Sequence, residues 1–217
     1  MTDSTKSNFT TIYDKHTWLG QSMSGPGSDA NRTAVFRTYL EEFIRDKGIR
    51  SVVDLGCGDW SYSRLVDWGG TNYTGIDVVE SVIERNRTQY GSERVSFSCL
   101  NAATTDLPAA DLLIAKEVLQ HLPNADILAI LSKLGAYKYA IFVNDITHHL
   151  RGGWKQLWQW KSICSTNADI EAGGYRLLRL TEPPFSLNAT RVLIYDNRYK
   201  ERRWCKEVLL FVNTTKK

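Results

Sequence analysis

No apolar stretch in the 217 residues approaches the ~20 needed to span a membrane. The opening residues, Thr2 to Asn8, are polar where a secretory leader would carry an apolar core. Membrane association is therefore not expected, and a cytoplasmic location is. The four cysteines, Cys57, Cys99, Cys164 and Cys205, form no C-x-x-C pair, which argues against a zinc site and against a disulfide framework. Lys and Arg outnumber Asp and Glu only by 27 to 24 and gather into no basic arm, so nucleic acid is not indicated as a partner. Repeats and low-complexity tracts are lacking too. Six N-x-S/T triplets occur (Asn8, Asn31, Asn72, Asn86, Asn188, Asn213); two lie inside the nucleotide-binding unit described below and read as chance composition.

What is present suits one large domain over residues 1–217. Hydrophobic residues make up 42% of the chain, enough to bury a core of ordinary size. Residues 1–30 are polar and turn-rich, ending in Ser24-Gly25-Pro26-Gly27-Ser28, and read as a lid over a site. Phe36, Leu40, Phe43 and Ile44 then recur at helical spacing until Gly48 stops the helix. Strands are expected at 51–55, 73–77, 95–100, 111–115 and 139–143. Helices are expected at 61–68, at 79–90, and over Ile127, Leu128, Leu131 and Leu134 with Asn124 as cap. Such alternation predicts a doubly wound, mostly parallel sheet. Two further β-like runs, 191–195 and 208–212, would close it as an antiparallel hairpin at the edge, giving seven strands. Residues 31–145 thus form the nucleotide-binding core, and 146–217 the acceptor side.

The most informative stretch is Val52-Val53-Asp54-Leu55-Gly56-Cys57-Gly58-Asp59-Trp60, an apolar strand running into a glycine turn. Glycines there permit positive φ and close approach of a ligand to the backbone. Asp77 ends the next strand 21 positions after Gly56, where a carboxylate can accept both ribose hydroxyls of a nucleoside. The third glycine of a dinucleotide fingerprint is missing, since position 61 is Ser61. Asp54 would repel a pyrophosphate but would favour an ammonium group.

This motif resembles the first motif of class I S-adenosylmethionine-dependent methyltransferases, and Asp77 resembles their ribose-binding acid. Asn101-Ala102 stands where that family usually places an Asp facing the adenine amino group. Residues 111–123 (DLLIAKEVLQHLP) are similar to its fourth strand and following loop. The resemblance covers about residues 31–145. It implies a Rossmann-like fold, S-adenosyl-L-methionine as cofactor, and a cofactor site drawn from Asp54, Gly56, Cys57, Gly58, Trp60, Asp77, Val78, Asn101, Ala102, Lys116 and Glu117, with Trp18, Ser24 and Gly25 of the N-terminal segment expected to touch the cofactor as well. Trp18 with Ser24 and Gly25, together with Gly173-Gly174-Tyr175-Arg176 and Pro183-Pro184-Phe185, resembles small stand-alone methyltransferases that tailor glycans or small metabolites. Trp60 departs from the many relatives with a glycine at its position. Its indole either packs on the methionine arm of the cofactor or belongs to the core.

Acceptor chemistry belongs at the carboxyl ends of the strands. His121 follows the fourth strand and Asp145, His148 and His149 follow the fifth, so the general base is expected among them, with His121, Asp145 and His148 as the candidates. Glu117, Asn144 and Asp145 are a weaker set that could gather round a magnesium ion; no metal is expected. Glu182-Pro183-Pro184-Phe185 resembles the Pro-Pro motif of base-amine methyltransferases. It stands far from the fourth strand, where that motif belongs, and is expected to form a stiff extended bend. Trp154, Leu157, Trp158 and Trp160, hinged at Arg151-Gly152-Gly153, would either pack on the sheet or wall an acceptor site suited to sugar rings. The expected acceptor is a small molecule or glycan, with a sugar hydroxyl preferred over an amine, a guanidine or a protein side chain. A non-catalytic nucleoside-binding module is the remaining alternative.

Overall fold

The computed structural model describes residues 2–18, 20–150, 166–199 and 202–216. Seven strands among them form one sheet. β1 (Ser51–Leu55), β2 (Asn72–Asp77), β3 (Val95–Cys99), β4 (Ala110–Lys116) and β5 (Tyr137–Leu150) run parallel, followed by β6 (Thr190–Tyr199) and β7 (Arg202–Val212). The order is β3-β2-β1-β4-β5-β7-β6, so the later strand of the expected hairpin inserts, antiparallel, between β5 and the edge strand. This is the Rossmann-like sheet with a closing hairpin that the alternation predicts. Strand order reverses between β1 and β4, which opens a crevice at their carboxyl ends.

Burial on both faces follows from the alternation of side chains along each strand. Val53, Leu55, Leu113 and Ala115 face one apolar cluster, while Val52, Leu112 and Ile114 face the other. Helix α2 (Ala34–Lys47) contributes Phe36, Leu40, Phe43 and Ile44 to the second cluster, and Gly48 ends it in the left-handed conformation at φ 60°. Helices α3 (Glu80–Tyr90) and α4 (Asn124–Leu131) complete the layers.

Four local expectations are corrected. Residues 61–68 hold a single 3₁₀ turn, Ser63–Leu65, rather than a helix; Ser63 and Tyr62 instead bond Asp54, and Trp68 Nε1 donates to Ser63 O. Pro123, not Asn124, is the capping position of α4, and the Asp169 carboxylate accepts the Asn124 N–H at 2.8 Å. The polar N-terminus is a helix, α1 (Thr2–Asp14), seated through Phe9 and Tyr13 with Ile12 beside them, a short i, i+3, i+4 stripe. Pro183-Pro184 lies in a tight turn closed by the Phe185 N–H to Glu182 O bond, not in an extended bend.

Asp54 sits inside the second cluster. Its carboxylate accepts the hydroxyls of Tyr73 at 2.7 Å, Ser63 at 3.0 Å and Tyr62 at 3.4 Å. Burial nevertheless pushes its pKa up from 3.8 to about 6. The folded state therefore holds this proton more tightly than the unfolded chain does. Its stabilising effect is present below about pH 4 and lost as pH rises through about 6, a change on the order of 3 kcal/mol. Asp54→Asn should remove that component. Urea midpoints measured from pH 4 to 7 would show it as a smaller decline with pH in the variant. An identical decline in both proteins would mean that Asp54 does not titrate there.

Candidate active site

The crevice at the strand ends is a cavity of about 570 Å³, the size of a small-molecule site. Gly56 and Asp77 stand on its floor. Gly56 has φ 63°, and a Cβ there would come within 2.4 Å of Val118 Cγ2, so any other residue would push the wall inward. Asp77 is buried and oriented by two backbone donors, Gly58 N–H to Oδ2 and Val79 N–H to Oδ1, both at 3.1 Å. Its remaining lone pairs are available for hydroxyl groups. Val78, Leu100, Asn101, Ala102 and Ile130 continue the wall as a mostly apolar slot. Asn101 Oδ1 already accepts the Ala103 N–H at 3.0 Å, which fixes the bend of that loop.

The N-terminal segment forms the opposite wall. Asp59 anchors it, accepting the Ser22 and Ser24 hydroxyls and the Met23 N–H at 2.8–3.1 Å, while its own N–H donates to Ser24 Oγ. Asp29 closes the loop by accepting the N–H groups of Gln21 and Ser22. Gly58 is glycine for this packing. A Cβ there would lie 2.1 Å from Ser24 Oγ, so the second glycine of the motif makes room for the lid rather than for a ligand. Ser24, Gly25 and Trp18 all line the cavity.

Beyond the floor lies a chain of buried charges. Lys206 Nζ, on β7, is 2.6 Å from both Glu117 Oε2 and Asp145 Oδ1, and Lys116 Nζ is 2.6 Å from Glu117 Oε1. Lys116 also donates to Gly27 O at 2.8 Å, latching the lid turn to the end of β4. Gln120 Nε2 and the Tyr175 hydroxyl donate to Asp145 Oδ2, each at 3.1 Å. Burial opposes charge on Glu117, but Lys116 and Lys206 outweigh it and hold the carboxyl down at about 2. Burial likewise opposes charge on Lys206, and Asp145 and Glu117 overcome it, raising its pKa. Burial lowers the pKa of Lys116. Neither Lys206 nor Gln120 stands out as a site residue in the sequence. The one available signal was Lys206-Glu207, two adjacent charges in an otherwise apolar strand.

This network corrects the magnesium reading. Lys206 occupies the position between Glu117 and Asp145 that a cation would take. Asn144, fully buried, alternates to the other face of β5 and does not converge with them. Asp145 is thus a hydrogen-bonded ion-pair partner lining the cavity, with both carboxylate oxygens already engaged.

His121 has the better geometry. Its Nδ1 lies 2.7 Å from Gly174 O, and a carbonyl only accepts, so Nδ1 carries the hydrogen and Nε2 keeps the lone pair. Burial lowers its pKa, which keeps the ring neutral. Trp18 and Tyr175 flank it with ring centroids 5.6 and 5.8 Å away. His148 and His149 lie on β5 in register with Trp204 and Arg203, and their side chains fall outside the described residues. So do Arg151–Gly153 and Trp154, Leu157, Trp158 and Trp160.

Besides Gly58, three residues expected at the cofactor lie elsewhere. Asp54 bonds hydroxyls in the core, as above. Cys57 is buried with its thiol pushed up by burial, under Gly75 rather than along the cavity. Trp60, at φ 59°, packs among Tyr73, Tyr90 and Phe97 at 4.9–5.6 Å, which settles it as a core residue. Each belongs to the glycine turn in sequence but faces the sheet's second cluster. Glu182–Phe185 does not line the cavity either; Phe185 lies under the Arg176 guanidinium, 6.0 Å from ring centre to Cζ.

Removing one member of the charge chain leaves its partners buried and unpaired. Lys206→Met, which sets Glu117 against Asp145, should destabilise the fold by roughly 3–5 kcal/mol. Chemical denaturation at neutral pH measures this, and a loss below about 1 kcal/mol would mean water reaches the pair.

Residues 52–137 match a family described as a methyltransferase domain. A ubiquinone biosynthesis O-methyltransferase of Coxiella burnetii is 30% identical over 90 residues, 40% of this chain and 38% of that protein. The chain thus matches well under half the length of that relative. Among solved structures, magnesium protoporphyrin IX methyltransferase from Synechocystis PCC 6803, with bound SAH, superposes at TM-score 0.61 and 15% identity over 98% of this chain and 97% of that one. The N-methyltransferase NodS of Bradyrhizobium japonicum WM9, in complex with S-adenosyl-L-homocysteine, does so at TM-score 0.64 and 13% identity over 95% and 99%. The methyltransferase-domain match thus runs from β1 to the start of β5, and the chain shares its fold with these solved methyltransferases.

Proposed function

We propose that the protein is an S-adenosylmethionine-dependent O-methyltransferase acting on a small acceptor, with a sugar hydroxyl of a glycan as the preferred target. The observation that carries this reading is one continuous cavity lined by both the oriented Asp77 carboxylate and neutral His121. Gly56, Asp77, Val78, Asn101 and Ala102 would hold the nucleoside part of the cofactor, in a floor that no side chain fills. When bound, the cofactor supplies a methyl group on a sulfonium, activated for displacement. The protein's own residues do the rest. Trp18, Tyr13 and the Asp59-anchored turn exclude water from above. His121 takes the acceptor's hydroxyl proton at Nε2 while Gly174 O holds Nδ1–H and stabilises the charge that develops on the ring. Asp145, fixed by Lys206, Gln120 and Tyr175, faces the same space as an immobile negative charge. The similarity to an O-methyltransferase core supports an oxygen acceptor, and the aromatic rings of Trp18, Tyr175 and Trp204 along the cavity suit a sugar ring. The domain acts as one unit over residues 1–217, with 1–30 as lid, 31–145 as cofactor core and 146–217 as acceptor side. It works in the cytoplasm; no helix among the described residues is long and apolar enough to cross a membrane.

Two measurements test this. Calorimetry should show S-adenosylhomocysteine binding to the wild type but not NAD, and Asp77→Ala should weaken it by about 1–3 kcal/mol through loss of the ribose hydrogen bonds. NAD binding in its place would defeat the cofactor assignment. With methyl-labelled cofactor and pools of glycans, amines and RNA, label should enter a hydroxyl acceptor, and His121→Ala should lower kcat by at least ~100-fold with cofactor affinity unchanged. An amine acceptor with His121→Ala near wild-type rate would assign the chain to N-methylation instead.

A further inference from the structure

The three longest strands, β5, β6 and β7, have 14, 10 and 11 residues, whereas β1 to β4 have five to seven. The excess length projects past the carboxyl ends of the parallel strands as a ribbon beside the cavity. Register places Tyr195, Lys206 and Asp145 in one row of this ribbon, and Asn197 opposite Trp204 one pleat further out. Residues two apart on a strand share a face, so Asn197 and Trp204 stand on the face of Lys206. Both line the cavity. Asn197 is 4% exposed, and its Oδ1 is buried with no hydrogen-bond partner. An unpaired buried carbonyl is costly, and an apolar residue of the same shape would serve this wall better if packing were its task.

We infer that Asn197 is a specificity-determining residue for the acceptor: its carboxamide oxygen accepts a hydrogen bond from a hydroxyl of the acceptor ring, and Trp204 beside it supplies a flat apolar face for that ring. This rests on the methyltransferase reading above and adds to it a requirement for a second hydroxyl on the acceptor, apart from the one methylated. His121 serves the reacting oxygen; Asn197, one strand beyond Lys206, serves another. The class selected is a polyhydroxylated ring, and a ring with a single hydroxyl is discriminated against because it leaves the carboxamide unpaired.

Asn197→Leu tests the assignment, since it keeps the shape and removes the oxygen. Without acceptor, the variant should melt no lower than the wild type, because no protein hydrogen bond is lost. S-adenosylhomocysteine affinity should be unchanged. With the acceptor found by methyl labelling, KM should rise at least tenfold while kcat stays within about threefold, as expected for loss of uniform binding. Deoxy analogues of that acceptor complete the cycle: one of them should cost the wild type about tenfold or more in kcat/KM and the variant less than about twofold. A melting temperature several degrees below wild type would assign the carboxamide to the fold and overturn the proposal. So would an unchanged KM, or equal penalties for every deoxy analogue in both proteins. Those results leave cofactor binding intact, whereas failure of the wild type to bind S-adenosylhomocysteine would defeat the underlying methyltransferase reading as well.

Discussion

The Lys206 ammonium between the carboxylates of Glu117 and Asp145 is the interaction on which the site is built. It joins β7 to the end of β4 and to the middle of β5, three strands from different parts of the chain. Through Glu117 it reaches Lys116, and through Lys116 the carbonyl of Gly27 in the lid. Through Asp145 it reaches Gln120 and Tyr175, which bracket the loop carrying His121. Desolvating four charges is expensive, and a well-packed apolar wall of equal volume would often be as stable. What the ionic chain provides here is position. Each member has one geometry that satisfies its neighbours, so the Gly27 turn, the loop carrying His121 and the cavity face of β7 are held in register with one another.

Much of the core was legible in the sequence because its signals are local. The apolar runs of β1, β2 and β4, the Gly48 stop and the spacing from Gly56 to Asp77 each follow from backbone sterics or periodicity, and each element lies within a residue or two of its expected limits. The placement of Asp77, Val78, Asn101 and Ala102 along one cavity follows from the crossover rule for parallel strands. The failures share a cause as well. Asp54, Cys57 and Trp60 are contiguous with the glycine turn, and contiguity does not say which face of the sheet a side chain meets. Helix α1 was hidden by its polar composition, since only Phe9, Ile12 and Tyr13 betray it. Asp59 was visible in the motif but its role was not, because its partners lie 35 to 37 residues earlier in the chain. Lys206 meets its partners across 61 and 89 residues, a separation no local pattern encodes.

The two glycines of the motif illustrate how a familiar pattern can rest on different physics. Gly56 is constrained by Val118 on the cavity wall, Gly58 by Ser24 of the lid. The first guards the volume of the site and the second the approach of its cover. An alanine at either position would be strained by its positive φ, yet the damage would reach the ligand by different routes.

The placement of β7 between β5 and β6 has a consequence for biosynthesis. During translation, Glu117 and Asp145 leave the ribosome well before Lys206, and until that residue emerges their carboxylates lack the ammonium that joins them in the finished crevice. The edge of β5 stays unpaired for the same interval, an open template for another chain. Insertion of the seventh strand therefore neutralises the charge and covers the edge in one event, and a nascent chain stalled before residue 206 is the form most in need of a chaperone.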